Sequence, residues 1–151
     1  EKAMDATDYL LEKKSVGDTV VIIGGGLTGS EIGYDLHRKG KKPIIVEMQD
    51  DLMCVKNLCL ANSSFLRDYF KSNNVPVYLN TKTKEIGDGY VVIETPEGEK
   101  KIPCDSVITS VGYTSTPLAA EGKNVHLIGD CAKVGNLRTA IWGAWDIAQK
   151  I

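Results

Sequence analysis

The sequence predicts an α/β fold built on a parallel sheet, and three observations predict it. Thr19–Ile23 is a continuous apolar, β-branched run that suits a strand buried on both faces. A glycine cluster at 24–26 leads from it into a stretch with helical apolar spacing. Pro43–Glu47 then repeats the strand pattern, which closes a strand–helix–strand unit within about thirty residues.

The remaining elements follow in order. Residues 1–17 read as a lead-in, in which Thr7 and Asp8 cap a helical turn through Tyr9, Leu10 and Leu11, and Gly17 ends it. From Ser30 to Lys39, Ile32 and Leu36 share one helix face, and Gly40 is a natural stop. The polar stretch at Asp50 and Asp51 is a loop. A second helix is expected within Leu58–Lys71, burying Phe65, Leu66, Tyr69 and Phe70, and Val75–Leu79 reads as a third parallel strand. Residues 81–102 change pattern. Gly87-Asp88-Gly89 and Pro96-Glu97-Gly98 are turn signals around Tyr90–Thr95, which is rich in strand formers, so an antiparallel three-stranded meander is expected. Asp105–Ser110 returns to a buried strand leading to Gly112, and Asn124–Ile128 is another, leading to Gly129-Asp130. Asn136–Ile151 has Leu137, Ala140, Ile141, Ala144, Ile147 and Ala148 at helical spacing. The expected organisation is a lead-in at 1–17, a nucleotide-binding unit at 18–110 and a C-terminal segment at 111–151.

Composition narrows the function classes. At 151 residues the chain has the length of one ordinary domain, and its 42% hydrophobic and 25% charged residues are those of a globular protein. A formal net charge of -2 without a basic stripe argues against nucleic acid as partner. No apolar run reaches the roughly eighteen residues that span a bilayer, and no charged-then-apolar leader opens the sequence, so a cytoplasmic protein is expected. The first residue is Glu1 rather than methionine, which suggests a processed or excised chain. Cys54, Cys59, Cys104 and Cys131 form no CxxC pair, and none stands with His37 or His126 at zinc-ligand spacing. Reduced thiols and no metal site are expected.

Chemistry enters at Gly24-Gly25-Gly26-Leu27-Thr28-Gly29, which fits G-x-G-x-x-G. The motif alone is weak, but here it lies between a buried strand and a helix, with Glu47 ending the next strand. Gly24 permits the tight turn, Gly26 lets the backbone approach a pyrophosphate, and Gly29 brings the helix close to the sheet, with Gly33 extending that approach. Exposed N–H groups and the positive helix end favour phosphate. Glu47 would accept hydrogen bonds from the adenosine ribose. Against it, the 2′-phosphate of NADPH is repelled: two like charges ~4 Å apart at an effective dielectric of ~20 repel by about 4 kcal/mol. A tenfold preference needs only about 1.4 kcal/mol. Met48, Gln49, Asp50 and Asp51 supply no arginine to reverse this, so NADH is the expected coenzyme.

Gly24–Glu31, with the glutamate two residues after the third fingerprint glycine, resembles the nicotinamide-binding half of the two-dinucleotide flavoproteins. The Pro-Ala-Gly loop more usual in their flavin-binding half is absent. Val125-His126-Leu127-Ile128-Gly129-Asp130-Cys131, followed by Ala140-Ile141 and Gly143-Ala144, is similar to the flavin-proximal strand and last helix of that superfamily. The meander and the Ser110-Val111-Gly112-Tyr113 strand end fit as well. Within the superfamily, the Gly129-Asp130-Cys131 segment looks most like NADH:flavin oxidoreductases of the 2,4-dienoyl-CoA reductase and 2-enoate reductase type.

The resemblance implies a three-layer Rossmann-like FAD/NAD(P)-binding fold. It implies that Gly24, Gly26, Leu27, Thr28, Gly29 and Glu47 bind NADH and that Glu31 lies near the nicotinamide. It places Gly112 and Gly129 among the cofactor-binding residues, puts Asp130 on the ribityl chain of FAD, and faces the start of the last helix to the flavin ring. That family also carries an N-terminal barrel with FMN and an iron–sulfur cluster, and a second fingerprint for the ADP part of FAD. Neither that second fingerprint nor a cluster-ligating cysteine group occurs in this sequence, so the resemblance implies a C-terminal portion whose partners are the remaining domains.

No residue stands out as a catalytic acid or base. Three other readings compete. A non-catalytic NADH-sensing module needs the fingerprint and Glu47 but not Asp130. A disulfide reductase would use Cys54 and Cys59, four residues apart, although Asp51-Leu52-Met53 replaces the glycine and threonine expected before the first cysteine. A methyltransferase-like domain shares the glycines and the acid but not the meander. Asp130 also has a plainer reading as the cap of a turn. Trp142 and Trp145 read as packing residues, or as a former interface.

Overall fold

The computed structural model describes residues 3–54 and 58–151. They fall into two compact units, one reaching to Val111 and the other running from Gly112 to Ile151.

The first unit holds strands β1 (Ala3–Asp5), β2 (Thr19–Ile23), β3 (Lys42–Val46), β4 (Val77–Tyr78) and β8 (Ser106–Thr109) in one sheet of order β1-β8-β2-β3-β4. Every pairing in it is parallel. Ile23 lies level with Val46 on one side and Thr109 on the other, so three strands end together at the carboxyl edge. Successive residues of a strand face opposite ways, and β2 uses both faces. Val20 and Ile22 join Ile45 and Ile108 under the helices α2 (Leu27–Arg38) and α3 (Leu60–Ser72), which contribute Ile32, Leu36, Leu66 and Phe70. Val21 joins Val46 and Val107 on the other face, against Val91, Ile93 and Ile102. These last three belong to the antiparallel sheet β5 (Lys82–Gly87), β6 (Tyr90–Thr95) and β7 (Gly98–Pro103). The layers are therefore helix, parallel sheet and meander, as expected. Each fully buried Ile or Val contributes about 1.5–3 kcal/mol through removal from water.

Both meander turns carry the expected residues. Gly89 takes φ 78 after Asp88, and Gly98 takes φ 126. Thr95 Oγ1 accepts the Glu97 N–H and donates to the Gly98 carbonyl.

Several expectations are corrected. The lead-in forms β1, which extends the sheet beyond β8, and the helix α1 (Ala6–Leu10). Its cap is Asp5, whose carboxylate accepts the Asp8 N–H at 2.9 Å, not Thr7 or Asp8. Glu12 at φ 56 follows the helix, well before Gly17. Helix α2 begins at Leu27 rather than Ser30, because Gly26 already has the extended conformation of an N-cap. On α3, Leu66 and Phe70 are buried and Tyr69 is half-buried, but Phe65 lies 53% exposed, edge-on to Tyr34.

The second unit contains a 3₁₀ turn at Gly129–Cys131 and helix α4 (Leu137–Ala148). A capping box between Asn136 and Thr139 starts α4. Asn124–Ile128 is not a strand: its one sheet-like contact is an isolated bridge between Gly122 and Val125. A strand needs a neighbour to satisfy its backbone, and no described sheet of this unit offers one.

Candidate functional site

The glycine turn sits at the carboxyl edge of the parallel sheet, between the ends of β2, β3 and β8. Gly24 leaves β2 at φ +104, a conformation L side chains rarely adopt. A Cβ there would lie 2.2 Å from the Ser110 carbonyl oxygen. Its N–H donates to the Val46 carbonyl at 2.8 Å. Gly29 passes so close to this turn that a Cβ would meet the Gly24 carbonyl oxygen at 2.0 Å. One turn later, a Cβ on Gly33 would press on Ile45 Cδ1 and Ile22 Cδ1 at 3.1 and 3.3 Å. Glycines at 24, 29 and 33 therefore let strand and helix approach closely.

Gly26 is different. A Cβ built on it meets nothing within 4 Å, so the space beside it is open. It is the N-cap of α2 and no side chain caps the helix. The first-turn N–H groups thus remain available to an anion. Leu27 and Thr28, half-buried, form that first turn.

Glu47 follows directly on β3 and reaches the turn. Its Oε2 accepts the Gly25 N–H at 2.6 Å and its Oε1 accepts the Gln49 N–H at 2.8 Å. A carboxylate offers about four acceptor directions, which leaves capacity for hydroxyl donors. The structure therefore brings Gly24, Gly26, Gly29 and Glu47 together. Glu31 stands exposed on α2, one turn further along.

Other predicted residues lie in the second unit. Gly112 takes φ +105 and Gly129 φ +58. A Cβ on Gly129 would lie 3.2 Å from Ala140 Cβ, so the 3₁₀ turn lies close to α4. Asp130 accepts the Gly135 N–H on Oδ1 at 3.0 Å and so caps the turn that follows it.

Cys54 and Cys59 are free and exposed, and Val55–Asn57 between them lie outside the described residues. Among the described residues, no group of three or more His, Cys, Asp or Glu side chains is placed to hold a metal ion. None of the described helices is long and apolar enough to cross a membrane. His37, which had no partner visible in the sequence, shares a hydrogen bond with the Tyr69 hydroxyl at 2.8 Å.

Three contributors were not read from the sequence. Ser30 Oγ donates to the Gly25 carbonyl at 3.1 Å. The Met53 N–H donates to the same carbonyl at 2.8 Å. Arg67, from α3, holds the loop of Met53 through Asp51, at 2.8–2.9 Å from both carboxylate oxygens, and through the Leu52 carbonyl. Met53 takes φ 55, which nothing in its residue type announces.

A family described as pyridine nucleotide-disulphide oxidoreductase matches residues 2–128. The chain belongs to this family. Among its relatives is a cinnamate reductase of Clostridium sporogenes, 38% identical over all of this chain and 24% of that protein. A bilirubin reductase of Mediterraneibacter gnavus is 30% identical over 84% of this chain and 20% of its own length. Among solved structures, a 2-naphthoyl-CoA reductase in complex with 2-naphthoyl-CoA superposes on the whole chain with TM-score 0.87 at 26% identity, over 24% of its length. A histamine dehydrogenase from Rhizobium sp. 4-9 shares the fold, with TM-score 0.78 at 17% identity over 99% of this chain and 26% of that one. The resemblance to enoate-reductase-type flavoproteins, stated from residues 24–31 and 125–131, agrees with these relatives. The chain spans about a quarter of their length.

Proposed function

We propose that this chain is the NADH-binding part of a flavin-dependent oxidoreductase whose substrate is an enoate or enoyl-CoA type of compound. The observation that carries the reading is Glu47, seated on the Gly25 amide beside the open space at Gly26. That juxtaposition fits a dinucleotide, with its diphosphate over the start of α2 and its adenosine ribose toward the acid. A Cβ at Gly26 would fill the cradle, so the residue present fits the group.

NADH, when bound, supplies a hydride to flavin, and the chain's task is positioning. Gly24, Gly26, Leu27, Thr28 and Gly29 hold the diphosphate, Glu47 orients the ribose and disfavours a 2′-phosphate, and Glu31 lies toward the nicotinamide. Residues 18–110 make up the nicotinamide unit. Residues 111–151 belong to a flavin-binding domain, in which Gly112, Gly129 and Asp130 face FAD. FMN, an iron–sulfur cluster and the substrate site lie in the remaining domains, and the protein works in the cytoplasm. The substrate class comes from the named cinnamate and 2-naphthoyl-CoA reductases.

Titration of the full-length protein with NADH and NADPH tests this reading. NADH is expected to bind at least tenfold more tightly, equivalent to about 1.4 kcal/mol. Equal affinities, or binding of S-adenosylmethionine in place of NADH, would overturn it.

A further inference from the structure

We propose that Ser30 is a positioning residue for the diphosphate of the dinucleotide, acting through the peptide that joins Gly25 to Gly26. This inference rests on the dinucleotide reading given above and deepens it.

Ser30 is fully buried, one of few polar side chains that are among the described residues. A buried hydroxyl needs a partner, and the partner it has chosen is the Gly25 carbonyl. That oxygen also receives the Met53 N–H, so two donors from separate segments converge on one acceptor. On the other side of the same residue, the Gly25 N–H is held by Glu47. A Cβ on Gly25 would lie 2.4 Å from Leu52 Cδ2, so the same loop also walls this residue. Gly25 is thus fixed at its donor and its acceptor.

The consequence falls on the next residue. No peptide bond among the described residues is cis. In a planar trans peptide the C=O of one residue and the N–H of the next point in opposite directions. Drawing the Gly25 carbonyl toward Ser30 and Met53 therefore turns the Gly26 N–H away from them. Gly26 is the uncapped start of α2, with open space beside it. A rotated peptide would present a carbonyl oxygen there instead, and its negative end repels phosphate. Ser30 and Met53 hold the donor orientation before any ligand arrives, and such preorganisation reduces the cost of binding. Arg67 supports the second anchor, since it fixes the loop that carries Met53.

The test uses the full-length protein and three ligands: NADH, ADP and adenosine. In Ser30→Ala, the affinities for NADH and ADP are expected to fall about tenfold, the range for a lost hydrogen bond to a charged group. Adenosine, which lacks the diphosphate, is expected to bind as before. The KM for NADH rises while kcat at saturating NADH holds. Arg67→Met, which releases the other anchor without touching α2, is expected to show the same split between ADP and adenosine. Ser30→Cys, which keeps a weak donor, is expected to fall between Ser and Ala. ADP bound equally well by Ser30→Ala and the parent, or ADP and adenosine weakened alike in both variants, would overturn the proposal. Failure of the unsubstituted protein to bind NADH would instead overturn the dinucleotide reading, and this inference with it.

Discussion

The two units of the chain have similar sequence texture and different outcomes. In the first, the apolar run Thr19–Ile23 lies between β3 and β8 and is buried at Val20, Val21 and Ile22. In the second, Asn124–Ile128 has comparable apolar content, yet Val125 and Ile128 are exposed and one isolated bridge is all that forms. No described residue of 112–151 is buried. Helix α4 forms regardless, with Leu137 82% and Ile141 66% exposed. The difference is one of bookkeeping on the backbone. A helix satisfies its N–H and C=O groups internally, whereas a strand depends on its neighbours.

Separating the two units is expected to have the largest effect. A chain ending at Val111 is expected to unfold in one cooperative thermal transition by circular dichroism. Residues 112–151 alone are expected to show none, since so short a segment rarely supports a core. A sharp transition in the short piece would show that residues 112–151 hold a core of their own.

Single side chains in the two units are expected to differ in the same direction. Ile22→Ala removes a fully buried side chain and is expected to cost about 2–5 kcal/mol in urea unfolding. In the 151-residue chain taken by itself, Ile141→Ala, on the exposed face of α4, is expected to stay within about 0.5 kcal/mol. Similar costs for both would mean that α4 is packed in solution.

A smaller effect distinguishes selectivity from affinity at Glu47. Glu47→Gln keeps an acceptor for the Gly25 N–H but removes the charge. Binding measurements are expected to show NADPH gaining on NADH by about tenfold, through loss of repulsion. An unchanged ratio would remove Glu47 as the selecting group.

Much of this was legible in the sequence because it is written locally. Thr19–Ile23 is a strand with the bounds expected, and the meander turns fall at Asp88-Gly89 and Pro96-Glu97. The glycine roles follow from motif spacing, and Gly24 and Gly29 meet backbone oxygens as the motif requires. Features that depend on distant partners were not legible. Ala3–Asp5 becomes a strand because β8, about a hundred residues later, lies beside it. Phe65 turns outward because Leu66 and Phe70 occupy the buried face of α3. Ser30, Met53 and Arg67 meet around Gly25 only after three segments fold together, and no spacing rule connects them.

The diphosphate is assigned to the open space at Gly26, and Gly26→Ala tests that assignment directly. The new methyl meets no protein atom within 4 Å, so the thermal midpoint is expected to hold within a few degrees. It does occupy the place assigned to the diphosphate, so NADH affinity is expected to fall at least tenfold, about 1.4 kcal/mol. A variant that keeps both its midpoint and its NADH affinity would contradict the claim that the coenzyme lies there.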